Sequence, residues 1–599
     1  MTRLPYLDAH AASDGEAWRG RVSTVLKGKS VDSLRSQTYD AIPVAPLYEA
    51  ARASTPVARA ASGWSAMQRI DNPDPEAARK QALEDLENGA DGLHLVFAES
   101  VGAYGFGLPS DAPLGGILRD VIFDAEVPIE LDCSDGTGAA AAMLADAIVA
   151  RGASLANTRI AFGIDPFTRL ARGGTCSDRG TLASRAKALR EKGFAGSPFV
   201  ADARIIHAAG GSEAQELGYA LAAGVAILRL LDEAGIMQSD KTSAISFRFA
   251  VDPDEFVGVA KLRAFRQLWA AVERDCELTP SSCQVHAETG WRAMTRRDPD
   301  ANMLRATLAI FAAAVGGADR ISVLPHTQAI GLPDAFARRV TRNAQLVLRE
   351  EANLDKVADP AAGSGGIEAL TSALCEKGWD VFRNIEAVGG LESAIEQGAF
   401  RESVATVAKA RAKSIARRKD GITGVSEFPL VGETPPHVEA PIAELGETKT
   451  PFAPIRLAEP FERLRDRADA ELVATGYRPK VFLATLGPLA AHAARTTFAK
   501  NLFEAGGFET VTHTGGDDDA SLAEAFRSSG ANIACLCGSD AVYTKRAAPA
   551  AVALAPHAKC LLLAGRPGEH EAAWRQAGVD DFAFVGADVL ALLESLAAH

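Results

Sequence analysis

The chain has 599 residues, 47% of them hydrophobic and 23% charged, a composition typical of globular proteins with a large core. With 77 acidic against 63 basic side chains its net charge is −14, which disfavours a nucleic-acid partner because phosphate binding needs clustered Lys and Arg. The apolar runs are far shorter than the roughly 20 residues of a membrane span, and the N-terminus lacks the apolar core of a signal peptide. The eight cysteines form no C-x-x-C pair. We therefore expect a cytoplasmic protein with no membrane segment, disulfide framework or zinc site.

Between residues 50 and 420 the chain repeats one pattern, a short β-rich run followed by an amphipathic helix. This alternation predicts parallel strands with crossover helices, and nearly continuous apolar runs such as LHLVF and ISFRFAV favour strands buried on both faces. The predicted strands lie at 92–98, 127–133, 159–165, 199–207, 245–252, 283–288, 320–326 and 356–360. Eight parallel strands most simply close into a (β/α)8 TIM barrel.

Two of the intervening helices carry clear start signals. Asp74 is placed to cap free backbone amides, Pro75 suits the first helical position, and apolar residues then recur every four positions until a glycine ends the helix. Asp254 precedes a second amphipathic helix at 256–272. The apolar stripe of each helix is predicted to face the sheet.

The pattern changes beyond the predicted barrel. Periodicity fails and proline rises from 421 to 479, which indicates an extended connector lying along the barrel. Residues 480–599 then alternate β and α again, with predicted strands at 480–486, 533–537, 560–564 and 582–585 and another near 510. This unit is predicted to be a small doubly wound, flavodoxin-like domain.

The residues by themselves offer only weak chemical candidates. Backbone amides of the glycine-rich turn 363–366 are placed either to hold an anion at a helix start or to make a plain strand-to-helix turn. Asp517, Asp518 and Asp519 suit either a metal or a solvated helix cap. The 11 histidines form no H-x-H or H-E-x-x-H motif, so no preformed zinc site is indicated.

Long ordered segments carry a family resemblance. They are AKLRAFRQLWAAV (260–272), HAETGWRAMTRRDP (286–299), GLPDAFARRVTRNAQLVLREE (331–351), KVADPAAGSGGIEALT (356–371) and ITGVSEFP (422–429). In these segments the chain resembles the methylmalonyl-CoA mutase family along nearly its whole length. The resemblance implies a (β/α)8 barrel that encloses an acyl-CoA and a C-terminal domain that holds adenosylcobalamin against the barrel mouth.

The C-terminal domain departs from the family's cobalamin motif. That motif is G-x-D-x-H-x-x-G after the first strand, where the histidine binds cobalt and the aspartate orients it. Gly487 matches, but Leu489 stands for the aspartate, Ala491 for the histidine and Ala494 for the last glycine. His492 comes one residue late, and on a helix one residue turns a side chain by about 100°. We therefore expect His492 to be an ordinary helix residue, with cobalt ligation as the alternative.

The barrel departs from the catalytic pattern as well. Catalytic members carry a tyrosine near the N-terminal edge and a Tyr-His pair ahead of E-A-G, whereas 64–69 contains no tyrosine and the pair is replaced by Arg204 and Ile205. His207 lies two positions away, and Thr327–Gln328 replaces the Asp-Glu pair that faces the cofactor. Because isoleucine cannot polarise a thioester, the resemblance predicts no catalytic, cofactor-binding or metal-binding residue in this chain.

What the resemblance implies is the small, non-catalytic subunit of a heterodimeric mutase that interconverts methylmalonyl-CoA and succinyl-CoA. Adenosylcobalamin is then expected on the large catalytic subunit, which this chain stabilises. Two alternatives remain: a self-sufficient cobalamin-dependent mutase using His492 and His207, and a chaperone that handles CoA esters or cobalamin. The implied organisation is an arm (1–49), the barrel (50–420), the connector (421–479) and a degenerate cobalamin-binding-like domain (480–599). The arm and the connector resemble the parts that wrap a partner in this family.

A barrel without an acyl-CoA along its axis is free to fill its interior with side chains. We expect a closed core, with bulky aromatic residues as the filling. The candidates are Phe97, Phe162, Phe247 and Phe249.

Overall fold

The computed structural model describes most of the chain as an α/β structure with two parallel sheets. A short antiparallel hairpin of β1 (Ser36–Gln37) and β2 (Pro43–Val44) precedes them. The described residues are 14–51, 57, 59, 63–134, 136–236, 241–280, 283–442, 450–513 and 518–598.

The first parallel sheet has eight strands. They are β3 (Ser65–Ile70), β4 (Gly92–Val96), β5 (Ile129–Asp132), β6 (Ile160–Ala161), β7 (Phe199–Asp202), β8 (Ile245–Val251), β9 (Gln284–Thr289) and β10 (Arg320–Ser322). Their order is β6-β5-β4-β3-β10-β9-β8-β7. The first and last of these strands along the chain, β3 and β10, therefore pair with each other, as in a ring. A single parallel bridge between Ile164 and Phe199 links its two ends. The sheet is therefore a nearly closed barrel, as predicted.

One of the predicted strands is wrong, and another is predicted too long. Residues 356–360 form turns, and Asp359 there binds the buried Arg263 at 2.6 and 2.8 Å. The barrel strand that the prediction lacks is β3, whose sequence SAMQRI has no continuous apolar run. The predicted strand 199–207 ends at Asp202, and a short helix follows it. At β3 and at the end of β7, polar residues that pair inside the barrel conceal the strand boundaries from a search for apolar runs.

Helices surround the barrel strands. From the N-terminus to the end of this unit they are α1 (Gly15–Val25), α2 (Pro75–Glu87), α3 (Leu114–Ile117), α4 (Ala139–Ala150), α5 (Thr168–Ala171), α6 (Arg179–Glu191), α7 (Arg204–Ala208), α8 (Glu213–Glu233), α9 (Glu255–Asp275), α10 (Ala301–Val315), α11 (Ala335–Leu346), α12 (Gly365–Ala387), α13 (Leu391–Gln397) and α14 (Ala399–Ala416). Asp74 caps α2 by accepting from the Ala77 amide at 2.8 Å, and Asp254 caps α9, so both predicted helix starts are confirmed. Within the described ranges, α8 is the one helix long and apolar enough to cross a membrane, and 94% of its apolar window is buried inside the fold.

The second sheet lies in the C-terminal part of the chain. Its strands are β13 (Lys480–Thr485), β14 (Glu509–Thr512), β15 (Ile533–Cys537), β16 (Cys560–Ala564) and β17 (Asp581–Ala583). All five are parallel, in the order β14-β13-β15-β16-β17. The helices of this part are α15 (Glu459–Thr475), α16 (Leu489–Ala505), α17 (Asp519–Ser529), α18 (Asp540–Leu554), α19 (Glu571–Gln576) and α20 (Val589–Ala597). The strands agree closely with their predicted positions.

The segment predicted as an extended connector contains more structure than expected. Its first part pairs with the barrel unit, because β12 (Ala440–Pro441) runs antiparallel to β11 (Gly331–Leu332). Its last part is helical, since α15 lies within 421–479 and buries Phe461 in the core of the C-terminal sheet. The apolar residues of 421–479 therefore lie partly in this helix and partly in the extended part of the connector.

Candidate functional site

The inner face of the barrel is charged rather than apolar. Strands expose alternate residues to the axis, and these inward positions carry four arginines and four carboxylates that are all buried. They come from β3, β5, β7, β8, β9, β10 and the start of α7. We call this set the axis network: Arg69, Glu130, Asp132, Asp202, Arg204, Arg248, Glu288 and Arg320.

Arg204 is the centre of one half of the axis network. Its guanidinium donates to Asp132 at 2.8 Å, to Glu288 at 2.8 Å and to Asp202 at 2.5 Å. Arg69 donates to the other Glu288 oxygen at 2.6 Å. Because a guanidinium offers five donors in a rigid fork, one arginine satisfies carboxylates from three strands at once.

Arg248 joins this half to the other one. It donates to Glu130 at 2.6 Å and to Asp132 at 3.3 Å. Arg320 donates to the second Glu130 oxygen at 3.0 Å, and Nδ1 of His286 lies 2.9 Å from the same oxygen. The charges of opposite sign are therefore paired across the whole barrel axis.

A hydrogen-bonded chain of histidine and serine side chains runs beside the ion pairs. The Ser322 hydroxyl lies 2.8 Å from Nε2 of His286 and 3.0 Å from Nδ1 of His94. Nε2 of His94 lies 3.5 Å from Asp132. Burial lowers the pKa of His94 to about 4, so its imidazole is neutral at pH 7. The chain has the residue types of a catalytic relay, and all of its members are buried.

The electrostatics of the network favour its charged form. Burial alone would raise the pKa of Asp132, but the Arg204 and Arg248 guanidinium groups outweigh it and hold that pKa well below its ordinary value. Burial would likewise raise the pKa of Glu130, and the neighbouring His286 and Arg248 lower it instead. These carboxylates stay ionised at neutral pH and pair with the arginines.

The expectation of a closed core agrees with this interior, but the predicted aromatic filling is wrong. Phe247 and Phe249 face the helix layer, where their ring centroids lie 4.6 and 4.7 Å from that of Phe265. Phe162 packs on Phe194 at 5.1 Å. Arg248, between the two phenylalanines of β8, takes the inward position because neighbouring residues of a strand point to opposite faces. Phe97 is buried in the same apolar core.

A small apolar cluster covers the carboxyl-terminal mouth of the barrel. Tyr104 stacks on Trp291 with a centroid separation of 4.5 Å, and Leu324 and Ile442 pack with them. Gly102 lies directly over the axis network, since a Cβ there would be 2.4 Å from a carboxylate oxygen of Asp132. In barrel enzymes this end carries the active site. Here the loop after β4 and Ile442 of the connector cover it.

Sequence reasoning singled out several residues near this mouth. His207 lies on α7 and not on a strand, with Nε2 3.1 Å from Asp252 in a buried cluster with Arg292. Burial, assisted by the Arg292 charge, lowers the pKa of His207 to about 4. Thr327 and Gln328 are also fully buried. The structure does not bring His207 together with His492.

The C-terminal sheet places His492 on the first turns of α16. Its Nδ1 lies 3.2 Å from the Thr496 hydroxyl one turn later, so the imidazole is engaged by its own helix. At the two motif positions, Leu489 is 72% exposed and Ala491 offers only a methyl group. Apart from Thr496, the described contacts place no polar side chain beside His492 that would orient it as a cobalt ligand, the predicted alternative.

The crevice beyond β13 and β15 is where a sheet of this order would bind a ligand. Tyr543 fills part of it: its hydroxyl accepts from the Gly538 amide at 2.9 Å and lies 2.8 Å from the Ala564 carbonyl, to which it donates. Arg495 stacks over this ring at 5.6 Å and donates to Asp540 at 2.7 Å. The residues present do not fit a cobalamin held through a protein imidazole.

The other two sequence candidates have structural roles. At the turn 363–366, the Gly363 amide donates to Glu368 at 3.1 Å, and a Cβ on Gly365 would strike the Glu49 carbonyl, so the N-terminal arm covers this helix start. Asp518 caps α17 by accepting from Ser521 at 2.9 Å, whereas Asp517 lies outside the described residues. Among the residues that the structure describes, no group of three or more His, Cys, Asp or Glu side chains is arranged to hold a metal ion.

Comparison with known proteins places this geometry in context. A family model described as methylmalonyl-CoA mutase matches residues 198–471. The chain is 40% identical to the methylmalonyl-CoA mutase small subunit of Streptomyces virginiae, over 97% of this chain and 96% of that one. It is 33% identical to the small subunit of Propionibacterium freudenreichii subsp. shermanii, over 97% and 94%. The probable small subunit of Mycobacterium bovis is 37% identical over 88% of both chains.

Proposed function

The chain belongs to the methylmalonyl-CoA mutase family, and from this premise we propose that it is the small, non-catalytic subunit of a heterodimeric, adenosylcobalamin-dependent mutase. The reaction of the complex is the isomerisation of methylmalonyl-CoA to succinyl-CoA. The end-to-end similarity to small subunits supports the partnership with a large subunit. The axis network supports the non-catalytic role, because it fills the space in which a family barrel encloses its acyl-CoA.

The cofactor belongs to the large subunit in this proposal. Adenosylcobalamin supplies the radical chemistry of the complex when it is bound there. The C-terminal part of this chain (480–599) is then a flavodoxin-like, degenerate relative of the cobalamin-binding domain, which its strand order with β13 between β14 and β15 supports. The arm (1–49), the barrel (50–420) and the connector (421–479) complete the proposed organisation. Eight cysteines without a disulfide suit a cytoplasmic location.

Co-expression tests the proposal. The large subunit is produced with and without this chain, and conversion of methylmalonyl-CoA to succinyl-CoA is followed by chromatography of the acyl-CoA esters. We expect full activity and a stable complex only with both chains. The purified single chain, mixed with adenosylcobalamin and passed over a desalting column, is expected to retain no corrinoid absorbance. Stoichiometric corrinoid and turnover by the single chain would instead show a self-sufficient mutase.

A size measurement separates the remaining alternative. A chaperone would bind and release the large subunit during cofactor loading, whereas a permanent subunit has an interface of about 2,000 Å² or more and survives dilution. Light scattering after gel filtration at falling concentration distinguishes the two. A complex that dissociates once cobalamin is loaded would contradict the subunit role.

A further inference from the structure

Three successive barrel helices expose large apolar side chains near their N-terminal ends. Phe256 on α9 is 62% exposed, Leu304 on α10 is 71% exposed and Phe336 on α11 is 52% exposed. These helices follow the neighbouring strands β8, β9 and β10, and α10 packs against both of the others. Helices of consecutive β/α units run side by side, so these side chains follow one arc of the barrel rim.

The middle helix is apolar on its outer face as well as its inner one. Its sequence, ANMLRATLAIFAAAV, has one charged residue, Arg305, in 15 positions. Leu304 and Leu308 are one turn apart and both exposed. Arg305 is occupied, since it donates to Asn302 at 2.8 Å and to the Thr423 carbonyl at 2.6 Å. A helix that is apolar all round is normally covered on every side.

The bond from Arg305 to Thr423 leads to a second group of exposed apolar residues. On the segment after Thr423, Phe428 is 75% exposed and Leu430 is 63% exposed. Phe428 has a φ of 52°, a left-handed conformation that costs a residue with a Cβ energy, and its amide is held by Asn501 at 3.2 Å. Arg465 of α15 fixes the Leu430 carbonyl at 2.5 Å. The backbone is thus fixed in a conformation that leaves both side chains in water.

We infer that these residues form the contact surface for the large subunit, an assignment that rests on the proposed function. We call this surface the rim patch. It consists of Phe256, Leu304, Leu308, Phe336, Phe428 and Leu430.

The exposed area is sufficient for a stable interface. With about 200 Å² for each aromatic side chain, the three phenylalanines leave about 380 Å² of apolar surface in water, and the three leucines add to it. A permanent interface of about 2,000 Å² covers about 1,000 Å² on each partner, of which about 560–650 Å² is apolar. The largest apolar patch of a typical monomer has about this size and often has a binding role.

The occupant is a different chain rather than a second copy. Three relatives that match this chain along most of its length are small subunits, so a larger partner accompanies each of them. Two copies of this chain would each bring a net charge of −14, and like charges oppose association. The large subunit is the partner to which the assignment commits.

Charge insertion tests the assignment on the full-length chain. Leu304→Glu and Phe428→Glu are made separately, and binding to the immobilised large subunit is measured by biolayer interferometry. Each variant is expected to weaken the Kd at least 100-fold, because the inserted carboxylate would be buried in the contact without a charged partner. The matched control is Ile122→Glu in the β4–β5 connection, which is 68% exposed but lies outside the three β/α units of the patch. Circular dichroism confirms that each variant is folded.

The outcomes separate this inference from the proposed function. Weakened binding by both patch variants, with an unchanged control, supports it. Wild-type affinity in the patch variants overturns the rim patch and leaves the subunit role intact. Failure of the wild-type chain to bind the large subunit overturns both. A wild-type homodimer that the patch variants dissolve, with binding to the large subunit unchanged, shows that a second copy occupies the patch and overturns the assignment.

Discussion

Replacing Arg204 by methionine tests the role of the axis network most directly. The substitution keeps much of the side-chain volume but removes the donors to Asp132, Asp202 and Glu288, whose side chains are each only 2% exposed. Removing one partner of a buried ion pair costs about 3–5 kcal/mol, because the remaining charges stay buried without compensation. We expect a loss of this size for Arg204→Met.

This loss converts into a measurable shift of the melting temperature. Unfolding entropy is about 2.1 cal/mol/K per residue, so roughly 350 residues in the barrel unit give about 0.7 kcal/mol/K and a decrease of roughly 5 °C for 4 kcal/mol. Differential scanning calorimetry of the purified chain at pH 7 measures it. Arg229→Met is the matched control, because its 2.5 Å pair with Glu386 is half exposed and worth under about 1 kcal/mol.

A double variant tests whether charge, and not packing, explains the loss. In the Arg204→Met background, Asp202 keeps a 3.5 Å contact with Arg248 and the 3.1 Å hydrogen bond from the backbone amide of residue 204, so Asp202→Asn neutralises a carboxylate that has lost its main charged partner. We expect the double variant to recover about 1–2 kcal/mol, within the usual range of coupling between contacting residues. A melting temperature of Arg204→Met equal to wild type, or no recovery in the double variant, would refute the reasoning.

Three further variants test other parts of the structure. The pKa of His207 is lowered to about 4 in the folded chain, so on acidification the unfolded chain takes up a proton near pH 6.5 and the folded one does not. The wild type should therefore lose about 3 kcal/mol of unfolding free energy between pH 7 and pH 4, and His207→Gln should not show this loss. Equal shifts of the urea midpoint in the two proteins over this pH range would contradict the prediction. Gly102→Ala should lower the free energy of unfolding by about 1–3 kcal/mol in thermal melts, because its Cβ would lie 2.4 Å from Asp132. Gly20→Ala in α1 should not destabilise the chain, because a Cβ there would meet no atom within 4 Å. His492→Ala should leave the activity of the reconstituted complex unchanged in acyl-CoA assays; a large loss would return cobalt ligation to this chain.

The sequence by itself determined the class of fold and most of its elements. Alternation of β-rich runs and amphipathic helices predicts both sheets, and the aspartate caps at Asp74 and Asp254 fix two helix starts, because all of these signals are local. The resemblance indicated the family, and the replaced motif at Leu489 and Ala491 already argued against a cobalt ligand. Those inferences need only the residue types and their spacing.

Only the tertiary structure decided what lies inside the barrel. Arg204 pairs with Glu288, 84 positions away, and Arg69 reaches the same carboxylate from another strand. A strand such as β3 therefore buries Arg69 on its inner face and shows no apolar run, while an apolar strand such as β8 turns Phe247 toward the helices. The partners of buried charges are brought together by closure of the ring, a property of the whole sheet that no single segment carries.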